Sequence, residues 1–211
     1  RIAVETVKSA IPDGETILQT PASMLTLQPH VFPRQVRYDA LVDLVPVSTV
    51  VSFPFALAVP AAHPARDFGG FVAWARTQQE VPYASPAAGA APHFLGVMLA
   101  RAIGVRMEHV SYRGAAPAMQ DLLAELGHPA LTKGEWFGML LPANTPGPMV
   151  QGLFEAIRRA AAEPTMREAL ERLDYAATVS DSPAAFAARI RREREEWAVT
   201  VRESGVQLDD G

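Results

Sequence analysis

The fold is decided by a segment near the middle of the chain, Tyr83-Ala84-Ser85-Pro86-Ala87-Ala88-Gly89-Ala90-Ala91-Pro92-His93. This segment passes from a short strand, through a loop of small residues, into a helix with a proline in its first turn. Ligands of open α/β sheets bind at the carboxyl ends of strands, and the N–H groups at a helix start suit a carboxylate or phosphate. The segment therefore indicates an anion-binding turn, although an ordinary tight strand-to-helix connection remains the simpler interpretation of the residue types alone.

Strands and helices alternate on both sides of this segment. Upstream, the pattern predicts a helix ending near Ala10, a strand over Glu15–Gln19, strands within Val45–Val59, and a helix over Asp67–Gln79. Downstream, it predicts strands over Glu108–Ser111, Trp136–Leu141 and Tyr175–Val179, and helices that start at Pro117, Thr145-Pro146, Pro164 and Ser182-Pro183. This alternation predicts an α/β fold with doubly wound, mostly parallel sheets.

Composition narrows the class of protein. With 211 residues, 49% hydrophobic and 20% charged, the chain is globular and long enough for one large domain or two small lobes. A net charge of -4 gives no reason to expect nucleic acid or an anionic membrane as a partner. The apolar region Leu44–Ala62 is interrupted by prolines, so no membrane-spanning helix is expected. The chain begins without Met inside a predicted helix, so we do not expect Arg1 to be the natural N-terminus, and the lack of a signal peptide is uninformative.

Neither a metal nor a cofactor is expected. The absence of cysteine excludes disulfides, zinc–thiolate sites and cysteine nucleophiles. The five histidines lack the spacing of metal ligands. The mixed charges of residues 189–196 are typical of a solvated helix face rather than of a nucleic-acid-binding stripe.

Two further loops share the character of the central segment. Thr20-Pro21-Ala22-Ser23 follows the first predicted strand, and the loop after Ser111 contains Tyr112, Arg113 and Gly114. Arg113 could pair with an anionic ligand, although a solvated surface arginine is the more ordinary interpretation. We expect these loops, together with Ser85, to supply hydroxyl and amide donors to a ligand.

The ordered set of segments resembles the Bug family, the substrate-binding proteins of tripartite tricarboxylate transporters. The segments that carry the resemblance span most of the chain and are Ala10–Leu18, Val81–Ser85 with Gly89 and His93, Val110–Gly114, Asp121–Leu123, Trp136–Pro146 and the final helix with Trp197. The resemblance implies a periplasmic protein of two lobes, 1–57 with 143–211 and 58–142, closing on a small carboxylate in the cleft between them. It also implies a monomer that serves a membrane transporter or a sensor, and no enzyme activity. The ligand-binding residues that it implies are Thr20, Ala22, Ser23, Ser85, Ala88, Gly89, Ala90, His93, Tyr112, Arg113 and Gly114.

The chain departs from the family pattern in two places. It lacks the family's usual N-terminal strand and ligand loop. It also lacks an internal segment that the family has near the position of residues 123–125. Either these segments are omitted from the sequence, which we favour, or the protein is a degenerate paralogue; omission predicts a chain break near Leu123–Glu125. Within the central loop, residues such as Pro86 and Ala87 replace small polar ones, which suggests a less polar ligand, or a different one.

Two other functions compete with solute binding. The effector-binding part of a transcription regulator uses a similar two-lobed fold and would require an upstream helix-turn-helix. A small-substrate hydrolase would use Ser85 with His93, but the Gly-x-Ser-x-Gly turn typical of such nucleophiles is absent around Ser85. A Ser85→Ala variant distinguishes the hydrolase from a binding protein.

Overall fold

The computed structural model describes residues 1–60, 63–111, 131–172 and 175–206, with the backbone alone for 131–134. The described residues form two compact units. Unit 1 comprises Arg1–Phe53 with Gly134–Val201, and unit 2 comprises Pro54–Lys133 with Arg202–Val206. The predicted lobe boundaries, at 57/58 and 142/143, stay a prediction. The predicted helix at Pro117 and the chain break near Leu123–Glu125 lie outside the described residues.

Unit 1 contains most of the helices. Its helices are α1 (Ile2–Lys8), α2 (Ala22–Thr26), α3 (Gln28–Val31), α6 (Gly147–Ala162), α7 (Pro164–Glu171) and α8 (Pro183–Ser204). The last residues of α8, from Arg202 on, belong to unit 2. Its sheet has the order β1-β5-β2-β6, with β1 (Leu18–Pro21), β5 (Leu131–Pro142), β2 (Leu44–Phe55) and β6 (Ala176–Ala177). Strands β2 and β5 carry the chain from one unit to the other.

Unit 2 is built on a strand–helix–strand connection. Helix α4 (Phe68–Ala75) precedes β3 (Val81–Ser85), α5 (Ala91–Ile103) and β4 (Met107–Ser111). Strands β3 and β4 are parallel because the intervening helix returns the chain to the same end of the sheet. The α/β prediction is confirmed, and the parallel arrangement holds in this unit. In unit 1, β1 pairs antiparallel with β5, and β2 pairs antiparallel with β6.

Both faces of the unit 1 sheet are covered. Leu140 and Leu141 are neighbours on β5, so they face opposite sides of the sheet, and each is at most 1% exposed. Leu140 packs with Trp136 and Phe186 of α8, whereas Leu141 packs with Val47 and with residues of α6. A core on each face explains why β5 reads as an apolar run rather than an alternating one.

Among the described helices, α4 and α8 start at side-chain caps, and Asp67 caps α4 by accepting the N–H of Gly70. Ser182 caps α8 as predicted, since its Oγ accepts the N–H of Ala185 at 3.0 Å. The predicted cap at Thr145 is wrong. Its hydroxyl donates to the carbonyl of Pro142 at 2.8 Å, Asn144 has a left-handed φ of 67°, and the helix begins only at Gly147. A turn that consumes the threonine hydroxyl therefore precedes α6.

Gly138 on β5 allows α8 to approach the sheet closely. A Cβ atom at this position would lie 2.3 Å from Cζ of Phe186. We expect Gly138→Ala to lower the free energy of unfolding by about 1–3 kcal/mol through overpacking, measured by chemical denaturation. Gly152 of α6 is a matched control, since a Cβ there meets nothing within 4 Å, and Gly152→Ala should raise stability by up to about 1 kcal/mol. Equal effects of both substitutions would contradict the close approach.

Candidate functional site

The loop between β3 and α5 in unit 2 has a fixed conformation. Gly89 has a φ of +72°, a backbone conformation that glycine adopts without strain. Its N–H donates to Nδ1 of His93 at 3.1 Å, and the N–H of Ala88 donates to Oγ of Ser111 at 3.1 Å. The loop is therefore tied both to the helix that follows it and to the neighbouring strand β4.

Ser85 anchors the start of the same loop. Its side chain is 1% exposed, and its Oγ donates to the carbonyl of Ala87 at 3.1 Å and lies 2.7 Å from Nε2 of His109. With the hydroxyl proton directed at Ala87, Nε2–H of His109 is the donor of the shorter bond. Ser85 thus contacts His109 rather than His93, and its hydroxyl holds the loop in place.

Two stacked imidazoles lie beneath the loop. The rings of His93 and His109 are 3.8 Å apart with an interplanar angle of 12°. Burial, together with His109, lowers the pKa of His93 from 6.5 to about 4, and burial also lowers the pKa of His109. Since Nδ1 of His93 accepts the N–H of Gly89, the neutral ring carries its proton on Nε2. At neutral pH the two imidazole rings that lie under the loop are therefore uncharged.

The start of α5 offers fewer free amides than its sequence indicates. Pro92 has no N–H, and the N–H groups of His93 and Phe94 donate to the carbonyl of Ala90 at 3.1 and 3.5 Å. Tyr83 holds this first turn from β3, because its hydroxyl donates to the carbonyl of His93 at 2.7 Å. The N–H of Ala90 in the loop also donates within the chain, to the carbonyl of Ala87 at 3.5 Å, so a ligand at this loop must compete with these internal acceptors.

The predicted loop at Thr20–Ser23 is wrong, because strand β1 ends at Pro21 and helix α2 begins directly at Ala22. This strand-to-helix junction is directed at a carboxylate of the chain. Thr20, Ala22 and Ser23 are 4%, 5% and 8% exposed. The N–H of Ser23 donates to Oε1 of Glu135 at 2.9 Å. Burial raises the pKa of Glu135 from 4.5 to about 7, and repulsion from Glu193 adds to this, while donors from Ser23 and Ala22 act in the opposite direction.

The structure groups the predicted site residues within their units. Unit 2 brings Ser85, Ala88, Gly89, Ala90 and His93 into one loop and helix start, with Ala88 exposed and Gly89 buried. Unit 1 brings together Thr20, Ala22 and Ser23. Tyr112, Arg113 and Gly114 lie outside the described residues.

Sequence reasoning missed two polar residues of these sites. His109 lies opposite Tyr83 in the parallel register of β3 and β4, a signal that appears once the two strands are paired. Glu135 immediately precedes the buried Trp136. The signal available in the sequence was therefore a single acidic residue at the start of a predicted apolar strand. Both act through contacts with residues distant in sequence.

The charges of α8 form pairs. Arg189 contacts Glu193 at 2.7 Å, and Arg194 contacts Asp39 at 2.9 Å. Across the residues that the structure describes, His, Asp and Glu form no group of three that could hold a metal ion. Over the same part of the chain, every helix is too short or too polar to cross a membrane.

Comparison with known proteins places these features in a family. Residues 1–132 match the family described as "Tripartite tricarboxylate transporter family receptor". A protein from the tcbD–tcbE intergenic region of Pseudomonas sp. strain P51 is 29% identical, and its alignment covers 96% of this chain and 73% of that protein. BugT of Bordetella pertussis is 26% identical, with 96% and 75% covered. These alignments extend over 247 and 252 positions, more than the 211 residues of the chain, so the relatives contain internal residues without a counterpart here.

Solved structures share the fold. Rpa4515 of R. palustris, determined with adipate, has a TM-score of 0.85 at 19% identity, covering 98% of this chain and 83% of that one. MatC of Rhodopseudomonas palustris, with bound malate, has a TM-score of 0.78 at 20% identity, covering 95% and 83%. The expected periplasmic-binding-protein-like fold is thereby confirmed, as is the resemblance to the Bug proteins. Since the family consists of solute receptors, the expectation that the protein is not an enzyme is also confirmed. The chain belongs to the tripartite tricarboxylate transporter family of receptors.

Proposed function

We propose that this protein is a periplasmic solute-binding protein that captures a small carboxylate and delivers it to a tripartite tricarboxylate-type transporter or a sensor. The observation that carries the proposal is the loop of residues 86–90 at the start of the 13-residue helix α5, fixed by hydrogen bonds to His93 and Ser111. A fixed, small-residue backbone at a helix start suits an anion. The adipate and malate bound to two proteins of the same fold agree with this ligand class.

The ligand contacts are part of the proposal. In unit 2 they are the loop residues Ala88, Gly89 and Ala90, positioned by Ser85 and His93, followed by Tyr112, Arg113 and Gly114. In unit 1 they are Thr20, Ala22 and Ser23. The neutral state of His93 and His109 means that amide and hydroxyl dipoles, rather than an imidazolium, neutralise the ligand charge in unit 2 at pH 7. We also propose that the protein is a monomer and that each predicted lobe supplies one of these two sets of ligand contacts.

The proposal is tested by thermal denaturation with a panel of small mono- and dicarboxylates at millimolar concentration. A ligand that binds only the native state raises its stability by about 2.7 kcal/mol at a hundredfold excess over Kd. The corresponding alcohols and amides without any carboxylate serve as controls and should give no shift. If the acids also leave the melting temperature unchanged, the protein is not a carboxylate receptor.

A matched pair of glycines tests the loop. Gly89 and Gly104 lie at the two ends of α5 with φ angles of +72° and +68°. A left-handed alanine costs about 1–2 kcal/mol at either position, so both variants should lose similar stability. Gly89→Ala should in addition weaken carboxylate binding about tenfold or more, equivalent to about 1.4 kcal/mol, as measured by calorimetry. Unchanged affinity in Gly89→Ala, or an equal loss in Gly104→Ala, would place the ligand elsewhere.

A further inference from the structure

One of the internal acceptors of the β3–α5 loop differs in kind from the others. The N–H groups of Ala88 and Ala90 donate to a serine hydroxyl and to a backbone carbonyl, which stay uncharged at any pH at which the protein is folded. The N–H of Gly89 donates instead to Nδ1 of His93 at 3.1 Å. An imidazole nitrogen can bind a proton, and it then changes from a hydrogen-bond acceptor into a donor.

This difference matters when a ligand carboxylate competes for the N–H of Gly89. His93 is 4% exposed, so Nδ1 would lose its donor in a place that water hardly reaches. A proton bound at Nδ1 removes this penalty, because the nitrogen then no longer needs a donor. The ring already carries a proton on Nε2, so the second proton gives it a positive charge. Two donors, the N–H of Gly89 and Nδ1–H of His93, are then available to the carboxylate, and the charge of the ring is opposite to that of the ligand.

The ionisable neighbours of His93 leave room for a single positive charge. His109 of β4 stacks on His93 at 3.8 Å, so the two rings disfavour each other's protonation. Tyr83 of β3 donates its hydroxyl to the carbonyl of His93, and burial raises the pKa of this phenol, which stays uncharged. Helix α4 packs against the other end of α5, where its Arg76 donates to the carbonyl of Ile103 at 3.2 Å.

The remaining charges on these elements are directed elsewhere. Arg106 of β4 contacts Glu80 at 2.6 Å. Glu108 is exposed and precedes His109, so it lies on the opposite face of the strand. Arg101 is exposed and lies about two turns further along α5. In the described part of the chain, the charge that acts on His93 is therefore that of His109.

We propose that His93 binds a proton from water together with the ligand carboxylate, so that acidification strengthens carboxylate binding at the β3–α5 loop. This inference rests on the proposed function, since it concerns the same loop, and it requires contacts from unit 2 alone. At pH 7 the ring stays neutral and dipoles hold the ligand. Burial keeps the pKa of His93 at about 4 in the free protein, and a carboxylate beside the ring raises this pKa, so the proton is taken up between neutral pH and pH 4.

The test is calorimetry with propionate and with adipate at pH 7.5 and pH 5, in the wild type and in His93→Asn. Asn keeps an acceptor for the N–H of Gly89 but cannot be protonated. Between the two pH values we expect the Kd of the wild type to fall about tenfold relative to that of the variant. The ligand's own titration is common to both proteins and cancels in this comparison. The wild type should also take up protons on binding, seen as a heat at pH 5 that depends on the ionisation enthalpy of the buffer.

Two further measurements support the comparison. His30 of unit 1 is a matched control, because burial also lowers its pKa, and His30→Asn should keep the pH dependence of the wild type. NMR titration of the His93 imidazole needs no variant at position 93. A saturating ligand should move the pKa of this ring upward from about 4, which a purely structural role of His93 would not produce.

The outcomes separate the inference from the function on which it rests. Acids that bind with the same pH dependence in the wild type and in His93→Asn, or a ring whose titration the ligand does not move, overturn the role of His93 and leave the receptor function intact. Proton uptake that persists in His93→Asn likewise overturns it, because another group must then bind the proton. If neither acid binds at either pH, nor any other carboxylate of the panel, the receptor function itself fails and the inference fails with it.

Discussion

Replacing Glu135 by Gln raises the stability of the protein by up to about 3 kcal/mol at pH 8 and leaves it nearly unchanged at pH 4.5. The reason is the pKa of Glu135, which burial raises from 4.5 to about 7. Each pKa unit corresponds to about 1.4 kcal/mol between the two protonation states. Gln keeps a carbonyl oxygen that can accept the N–H of Ser23, and it has no charge to bury.

The sign follows from proton binding. Between pH 4.5 and 7 the native protein keeps a proton on Glu135 that the unfolded chain releases, so stability falls as the pH rises through this window. Above pH 7 the full cost of the buried charge is present in the wild type and absent in Glu135→Gln. Below pH 4.5 both states carry the proton, and the two proteins should be nearly equal.

The measurement is urea denaturation at a series of pH values between 4.5 and 8. The exposed Glu195 of α8 provides a control, since Glu195→Gln should change stability by no more than about 0.5 kcal/mol. A gain in Glu135→Gln that is the same at pH 5 and pH 8 would show that packing, not ionisation, is responsible. A loss of stability at pH 8 would show that the carboxylate itself is needed by Ser23 and Ala22.

Much of the local structure could be predicted from the sequence because its causes are local. The residue types of Pro12-Asp13-Gly14 predict a turn, and in the structure Gly14 has a φ of +84° while the N–H of Glu15 donates to Oδ1 of Asp13 at 3.0 Å. The strand after this turn starts at Leu18 rather than at Glu15. Strand pairing with β5 begins only there, where Leu18 faces Leu140. Where an element ends thus depends on a partner far away in the chain.

The sites were less predictable for the same reason. The bond between Ser23 and Glu135 joins residues 112 positions apart, and the bond between Ser85 and His109 joins residues 24 apart. The sequence therefore indicated which loops carry donors, but not where those donors point. Two of the donors expected to meet a ligand, the Ser23 N–H and the Ser85 hydroxyl, meet the chain's own Glu135 and Ala87.

The last prediction concerns acid lability of unit 2. His93 is 4% exposed, and burial together with His109 lowers its pKa from 6.5 to about 4. Between these pH values His93 is protonated in the unfolded chain but stays neutral in the native protein, so stability falls as the pH drops from 6.5 to 4. The shift corresponds to a loss of up to about 3 kcal/mol. Protonation at Nδ1 would also break the bond from Gly89 that closes the loop.

This loss is partly masked in the wild type. As the pH falls from 6.5 to 4.5, native Glu135 binds a proton more readily than unfolded Glu135, which stabilises unit 1. Over the same range, native His93 binds a proton less readily than unfolded His93, which destabilises unit 2. The Glu135→Gln background removes the first effect, so acidification from pH 6.5 to 4 should destabilise that variant more than the wild type. Denaturation across this pH range, with hydrogen exchange to assign the change to residues 81–111, checks the prediction.

A second substitution in this background identifies the group responsible. His93→Asn keeps an acceptor for the N–H of Gly89 but cannot be protonated, so it should remove the share of the pH dependence between 6.5 and 4 that belongs to His93. The contributions of His109 and His30, whose pKa values burial also lowers, should remain. The variant also loses the ring that stacks on His109 at 3.8 Å, which lowers stability at all pH values by a similar amount. The slope of stability against pH, rather than its absolute value, therefore reports the titration of His93. If the double variant keeps the slope of Glu135→Gln, the acid-sensitive group is not His93, and the slope belongs to another histidine whose pKa burial lowers, His109 or His30.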